Sequence, residues 1–421
     1  MAKITSVRGF RDILPDEAPK WQRVEEKIRK IFFDFGIQEI RIPVLEKTEL
    51  FKRGIGEATD IVEKEMYTFL DRGNEYLTMR PEATASVIRA YIEHHLYEKD
   101  PVAKLFTIGP MFRRERPQKG RFRQFHQINV EFLGQEDPRI DAELMSMLMF
   151  LLDELGLEEL KLEINSLGCD TCRPPFREKV IGFLKDKEDE LCEDCRRRLE
   201  TNPLRIFDCK NEACQETISK APVILDFICD ECRDHFERVM ELLEILGVSP
   251  VINRTMVRGL DYYTRTAFEI TTRALGAQNA VTGGGRYDGL VQMLGGPAIS
   301  GIGFAIGFDR LISMLPDTDE GSSGHPSIFI AALGDDAQKH AFSLCNTLRH
   351  GGIRAEMDFS NRSLKSQMKR ANKLGCSHTL IIGDQEMTEG TAQIRDMQDG
   401  TQESVGIHDA DNIIQGLRIK D

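Results

Sequence analysis

The sequence predicts an α+β core, interrupted by a helical, cysteine-rich insertion and followed by a small α/β domain. Three observations predict it. Helical and strand-like patterns mix through the first 165 residues and return at Val251. Between them, from Asn165 to about Gly247, the chain becomes charged and helical, and eight of its ten cysteines fall between Cys169 and Cys232. After a Pro-, Gly- and Ser-containing linker at 316–326, strands and helices alternate. The expected organisation is therefore core at 1–165, insertion at 166–247, core again at 248–316, linker at 317–326 and a last domain at 327–421.

Trp21, Val24, Ile28, Ile31, Phe32 and Phe35 recur at helical spacing, and Gly36 ends that helix. A short strand at 38–42 stops at Pro43. Residues 104–114 and 122–134 read as two strands joined by a polar loop, 115–121. Ile140, Leu144, Met147, Leu148, Leu151 and Leu155 mark a second amphipathic helix, and Leu160, Leu162 and Ile164 alternate in a strand. The insertion closes with a helix carrying Phe236, Val239, Met240, Leu243 and Leu246 on one stripe. Strands are expected at 267–272 and 280–284, and a glycine-rich strand runs into a helix over 301–314. The last domain is read as strands at 327–333, 353–358 and 378–383 with helices at 337–350 and 363–374.

Composition bounds the function. The chain has 421 residues, 41% hydrophobic and 30% charged, a globular balance with ample material for a core. No apolar run approaches a membrane span, and the N-terminus lacks the apolar stretch of a signal peptide. The expectation is a cytoplasmic protein with no membrane partner. A net charge of −13 weighs against nucleic acid in bulk, but binding follows local patches.

One such patch stands out. Residues 112–123 pack six basic side chains around one acid, in the loop between the two central strands. In the strand that follows, Ile128, Val130 and Phe132 share one side, while Gln127, Asn129 and Glu131 share the other. A packed face thus backs a polar one that can line a cleft. Arginine forks suit phosphate because they offer paired, planar donors, and basic loops suit an RNA backbone. No Ser-His-Asp or Cys-His arrangement stands out.

Phe112-Arg113-x-Glu115 resembles motif 2 of the class II aminoacyl-tRNA synthetases, and residues 301–311, with Gly301, Gly303, Gly307 and Arg310, resemble their motif 3. Residues 36–43 are compatible with motif 1. Arg258-Gly-Leu-Asp-Tyr262-Tyr263 and Thr282-Gly-Gly-Gly-Arg-Tyr-Asp288 look like the two histidine-specific motifs of the histidyl-tRNA synthetase family. Residues 78–84 look like its amino-acid-binding segment. The motifs run in the expected order over essentially the whole chain. The resemblance implies a core built on a mostly antiparallel sheet flanked by helices, with an anticodon-binding domain at 327–421.

It also implies a reaction: histidine and ATP give histidyl-adenylate and pyrophosphate, and the histidyl group then moves to the terminal ribose of a tRNA specific for histidine. Two anions must approach, so cations must surround the α-phosphate. By resemblance Arg113 and Arg258 are the catalytic cations, and Arg113, Arg121, Arg258 and Arg310 bind ATP, accompanied by Mg2+. Glu131 and Tyr263 are expected on the imidazole. Glu82, Ala83, Thr84 and Gln127 are expected around the α-amino end. Tyr262 is either part of that site or a half-buried aromatic beside a strand. Arg116, Gln118 and Lys119 are expected at the tRNA acceptor end. Asp309 stands where the family usually has Glu, a shorter arm with the same charge. Members of the family are homodimers.

The cysteines form four close pairs, Cys169/Cys172, Cys192/Cys195, Cys209/Cys214 and Cys229/Cys232. Their spacing suits tetrahedral zinc, one or two ions, in a structural role. The other reading is eight free thiols used as small core residues. The helix at 363–374 carries Lys365, Lys369, Arg370 and Lys373, either a solvated face or an RNA contact. Two other functions compete: a non-catalytic, synthetase-like regulatory subunit of histidine biosynthesis, and a class II synthetase for proline or threonine. The full set of arginines and the last domain disfavour the first, and the 258–263 motif disfavours the second.

Overall fold

The structure is a computed structural model describing residues 3–56, 59–115, 121–272, 280–316, 327–407 and 413. The expected linker at 317–326 lies outside these residues. The chain divides into two compact units, Met1–Asp317 and Thr318–Asp421. In the first, the strands are β1 (Gln38–Glu39), β2 (Leu45–Lys47), β3 (Tyr67–Leu70), β4 (Tyr76–Met79), β5 (Ala103–Phe112), β6 (Gln124–Leu133), β7 (Leu160–Ser166), β8 (Val251–Ile252), β9 (Thr264–Thr272), β10 (Ala280–Arg286) and β11 (Gly301–Gly307).

The main sheet has the order β1-β5-β6-β11-β10-β9-β7-β8. Its two edge pairs, β1/β5 and β7/β8, are parallel, and every pairing between them is antiparallel. Alternation gives this sheet one apolar face. Ile128, Val130 and Phe132 of β6, Ile302, Phe304 and Ile306 of β11, and Phe268 and Ile270 of β9 share one buried cluster. Helices Ala18–Asp34, Pro138–Glu154 and Phe308–Met314 cover it with Ile28, Leu148 and Leu311 among others. The first helix ends as expected: Gly36 adopts φ +70°, the left-handed turn that stops a helix with no Cβ penalty. The polar face of the sheet is left open for a site.

Some boundaries differ from expectation. The strand expected at 38–42 shortens to β1, of which only Gln38 and Glu39 pair with β5. β2, β3 and β4 form a separate three-stranded sheet, order β2-β4-β3, that was not anticipated. The insertion consists of helices Arg173–Lys185, Glu193–Thr201 and Glu212–Ile218 with short turns, closed by Asp230–Ile245. That last helix serves both modules. Cys232 in its first turn joins the cysteine cluster, whereas Phe236, Val239 and Leu243 pack in the main core. Leu246 does not share that stripe. The helix has ended at Ile245, and Leu246 is exposed.

The second unit holds β12 (Ile328–Ala332), β13 (Ala355–Met357), β14 (His378–Ile382), β15 (Thr391–Asp396) and β16 (Gln402–Gly406), in the order β13-β12-β14-β15-β16. β12, β13 and β14 are parallel, joined by helices Asp335–His350 and Leu364–Lys373, as the alternating pattern predicts. The antiparallel pair β15/β16 was missed. Its residues are mostly polar, and only Ala392 reaches full burial, so it leaves no apolar alternation to read. On helix Leu364–Lys373, Lys365, Lys369 and Lys373 are exposed. Arg370 instead pairs with Asp358 at 3.3 Å and lies over the Phe329 ring.

Arg286 ties the first unit together. It is fully buried and meets Asp141 with two parallel bonds, Nε to Oδ1 at 3.0 Å and Nη2 to Oδ2 at 2.6 Å. Burial works against its charge, but Asp141 and Asp288 outweigh that and raise its pKa. The pair fastens β10 to helix Pro138–Glu154. Removing one partner strands a buried charge, at a cost of about 3–5 kcal/mol. Arg286→Met should therefore lower the urea midpoint of this unit strongly, read by fluorescence of the single tryptophan, Trp21. An unchanged midpoint would contradict the clamp.

Candidate active site

Two adjoining hollows open on the polar face of the main sheet, with volumes of about 250 and 360 Å³. Ile61, Arg113 and Gly259 line both. The floor of the smaller hollow comes from Gln127, Asn129 and Glu131 on β6, Gly303 and Ala305 on β11, and Gly283 on β10. Register explains the mixture. Gly303 pairs with Glu131, Ala305 with Asn129 and Gly283 with Ala305, so small residues flank large polar ones. A Cβ on Gly303 would overlap the Glu131 carboxylate, and one on Gly283 would meet the Arg258 guanidinium at 2.6 Å. Close packing was expected at Gly301, Gly303 and Gly307. It holds at the first two, whereas a Cβ on Gly307 would make only ordinary contact.

Glu131 is the deepest polar group, 1% exposed. Thr84 Oγ1 donates to its Oε1 at 2.7 Å, and Tyr287 OH donates to its Oε2. Burial outweighs both bonds and pushes the carboxyl up to about 8. Glu82 is also buried. Its two oxygens accept from the amides of Thr84 at 2.7 Å and Ala85 at 2.9 Å, which caps helix Thr84–Glu93 and fixes where Thr84 points. Burial raises its pKa as well.

The walls carry most of the other expected residues. Arg113 donates Nε to the Pro81 carbonyl at 2.8 Å and lies over Phe125, so its fork is aimed. Arg258 enters from the unstructured segment 253–263, stacks over Tyr263 and meets Glu269 at 3.4 Å. Tyr262 and Tyr263 are both buried and both line the hollow, their ring centroids 4.6 Å apart. Ala83 is the exception. It is fully buried in the apolar cluster beneath the site and does not line the hollow. Gln127 Oε1, Asn129 Oδ1 and Arg258 Nε are buried without a partner among the described residues. Buried polar atoms are seldom left so, and these three beside the hollow favour a polar ligand with both donors and acceptors.

The larger hollow gathers Arg113, Arg121 and Arg310. Burial and the nearby charge of Arg121 both lower the pKa of Arg310, the signature of cations crowded for an anion. Asp309 anchors the helix that bears Arg310: it accepts from the His126 amide at 2.6 Å and from Arg11 at 3.4 Å. Burial would raise the Asp309 carboxyl, but the His126 bonds and the Arg11 charge outweigh it and hold it low. Glu65 and Glu115 line the same hollow, and burial together with repulsion from Glu115 raises Glu65. Two such carboxylates fit a hard cation that takes oxygen ligands. Arg116, Gln118 and Lys119 lie outside the described residues.

The cysteine pairs cross. Cys169 and Cys172 meet Cys229 and Cys232, while Cys192 and Cys195 meet Cys209 and Cys214, and in each quartet all four sulfurs lie within 4.8 Å of one another. Sulfur separations of 3.5, 3.9 and 3.9 Å in the first and 3.8 Å in the second bracket the value of about 3.8 Å that a tetrahedral zinc with Zn–S near 2.3 Å requires. Amides of Cys229 and Cys192 donate across each quartet to Cys172 and Cys214 at 3.1 Å. Both quartets are thus able to hold a metal.

Sequence reasoning missed two residues of the site. Asn129 was read only as part of a polar face. Tyr287 lay inside the 282–288 motif without a role, and its hydroxyl is what completes the Glu131 site. Arg286, the basic residue of that motif, points away from the hollow to Asp141.

The Glu131 carboxyl has a pH consequence. Between its ordinary 4.5 and about 8, the folded chain holds a proton that the unfolded chain has released. Stability from this group therefore falls as pH rises through that window. Glu131→Gln should raise the urea midpoint above wild type at about pH 9, with the difference shrinking towards about pH 5. Parallel profiles for the two proteins would remove the shift.

The family model for histidyl-tRNA synthetase matches residues 9–311, and that for an anticodon binding domain matches 327–417. The chain is 55% identical over 402 residues to the histidine–tRNA ligase of Geobacter sulfurreducens, covering 96% of this chain and 97% of that one. It is similar to the solved histidyl-tRNA synthetase of S. aureus, with TM-score 0.82, 36% identity and coverage of 99% and 100%. A Bacillus halodurans chain described as an ATP phosphoribosyltransferase regulatory subunit/histidyl-tRNA synthetase shares the fold at 20% identity and TM-score 0.65, covering 91% of this chain and 98% of that one. The fold alone therefore does not separate the two functions; sequence identity at full length does. Its motifs, its two units and these likenesses agree that the chain belongs to the histidyl-tRNA synthetase family.

Proposed function

We infer that this chain is a histidine–tRNA ligase, and that the two hollows hold histidine and ATP side by side. The observation that carries the division of labour is Arg113, whose side chain lines both. In the first step a carboxylate oxygen of histidine attacks the α-phosphorus, the bond to the bridging oxygen breaks, and pyrophosphate leaves with its electrons. Arg113 and Arg258 flank the reacting phosphoryl group and offset its charge in a partly buried setting, where such charges count for more than in water. Arg121 and Arg310 take the outer phosphates and the adenine end. Mg2+, held through Glu65 and Glu115, neutralises the phosphate oxygens when bound.

Glu131 and Tyr263 face the imidazole, with Tyr262 beside them. Glu82, Thr84 and Gln127 face the α-amino end, and Ala83 supports the turn from beneath. A site of this kind rejects analogues that leave its polar groups unpaired. In the second step the terminal ribose hydroxyl of the tRNA attacks the adenylate carbonyl and AMP leaves. Residues 116–119 receive the acceptor end, and the domain at 327–421 reads the anticodon. Positioning and electrostatics suffice, with no protein nucleophile.

The regulatory-subunit reading is disfavoured by Arg113, Arg258 and Glu131 all standing in the hollows. Each cysteine quartet holds one structural Zn2+, supported by the sulfur separations and suited to a reducing cytoplasm. The protein works as a homodimer. Exposed Leu45, Phe69, Leu70 and Tyr76 on the β2-β4-β3 sheet support an interface there.

Pyrophosphate exchange with a panel of amino acids tests the assignment. Exchange should occur with histidine and not with proline or threonine, and silence with histidine would defeat the reading. Arg258→Ala should cut exchange by roughly a hundredfold or more while the chain stays folded; near-normal exchange refutes its role. Elemental analysis of freshly purified protein should find one zinc for each quartet. A folded, active, zinc-free chain would overturn that part.

A further inference from the structure

We propose that the cysteine module is a positioning device for the histidine-binding segment 258–263, with Arg173 as its main strut and Asn202 as a second. This rests on the reading of 258–263 as part of the histidine site.

The segment from Asn253 to Tyr263 forms neither helix nor strand, so its own backbone bonds do not hold it. Its first half is fastened to the core, where the Asn165 side chain donates to the Met256 carbonyl at 2.8 Å. On that side its second half has a long backbone bond of 3.4 Å from the Asp261 amide to Ile55, the Arg258–Glu269 pair at 3.4 Å and the packing of Tyr262 and Tyr263 in the core cluster. The remaining ties come from the module. Arg173 Nη2 donates to the Tyr263 carbonyl, and its Nε reaches Leu167 at 3.3 Å. Arg205 Nη1 donates to the Arg258 carbonyl at 3.2 Å. Asn202 Nδ2 donates to Asp261 at 2.9 Å. Arg258 and Tyr263, which both line the smaller hollow, are thus each held by their own carbonyl.

The struts are rooted at the thiol quartets. Arg173 follows Cys172 of the first, and Asn202 and Arg205 lie between Cys195 and Cys209 of the second. A cavity lined by Phe176, Leu204, Phe207 and Ile224 from the module, and by Met256 and Leu260 from the segment, completes the contact. Arg173 bonds the Tyr263 end of the segment, whereas Arg205 bonds the carbonyl of the phosphate-facing Arg258, so loss of Arg173 should weaken histidine binding more than ATP binding.

Pyrophosphate exchange on Arg173→Met in the full-length, metal-containing enzyme provides the test. KM for histidine should rise roughly ten- to a hundredfold. KM for ATP should stay within about twofold, and zinc content should match wild type. Arg173→Lys, which still donates to one carbonyl, should recover part of the loss. An unmoved KM for histidine, or an equal rise for both substrates, overturns the proposal. If Arg173→Met loses metal or fold, Asn202→Ala carries the same test at the other quartet. Wild-type enzyme without histidine-dependent exchange would instead sink the histidine reading, and this proposal with it.

Discussion

A carboxyl group on the polar face of β6, with 1% of its surface exposed, is costly unless neighbours bond to it. Glu131 meets that demand through Thr84 and Tyr287, and much of the first unit follows from delivering those two hydroxyls. Thr84 is delivered because helix Thr84–Glu93 starts there, capped by Glu82. Tyr287 is delivered because its neighbour Arg286 is locked to Asp141 at the end of β10. Space for the carboxyl itself exists because residue 303 on the paired strand is glycine. Segments more than a hundred residues apart in the chain therefore converge on one group.

The second constraint is electrostatic. The chain carries a net charge of −13, yet it gathers Arg113, Arg121, Arg258 and Arg310 around two small hollows. Crowded cations repel, so they are held from behind. The Pro81 carbonyl and the Phe125 ring hold Arg113, and Glu269 holds Arg258. Asp309, one methylene shorter than the family's usual glutamate, still binds the His126 amide and Arg11. Its charge is used to fasten a helix to the sheet, which is why the shorter arm is tolerated. A bound nucleotide would relieve the repulsion, and that gain is available only where the cations are fixed beforehand.

The cysteine module shows how a long insertion is accommodated beside a sheet. Its own cluster of Phe176, Val180, Leu184 and Ile206 is small. The first thiol quartet brings its ends together and the second gathers its middle, and the closing helix Asp230–Ile245 runs on into the main core through Phe236, Val239 and Leu243. The module and the histidine segment then share a contact that neither would hold alone.

From the sequence alone came the elements with strong periodicity, the two-sided strand read at 122–134, the position of the insertion and, through its ordered motifs, the family. The resemblance also named the arginines and Glu131. Spacing says nothing about which way a side chain turns once the backbone is placed. It therefore left Arg286 and Tyr287, adjacent in one motif, undistinguished, although one faces Asp141 and the other Glu131. It placed Ala83 in the site with its neighbours, although a side chain one position away on a helix start turns into the core. It found four cysteine pairs but not that the first meets the fourth, because that pairing depends on how the helices between them fold back. Local pattern records what each segment prefers. Only the packed chain, in which distant segments compete for the same buried volume, decides which groups meet.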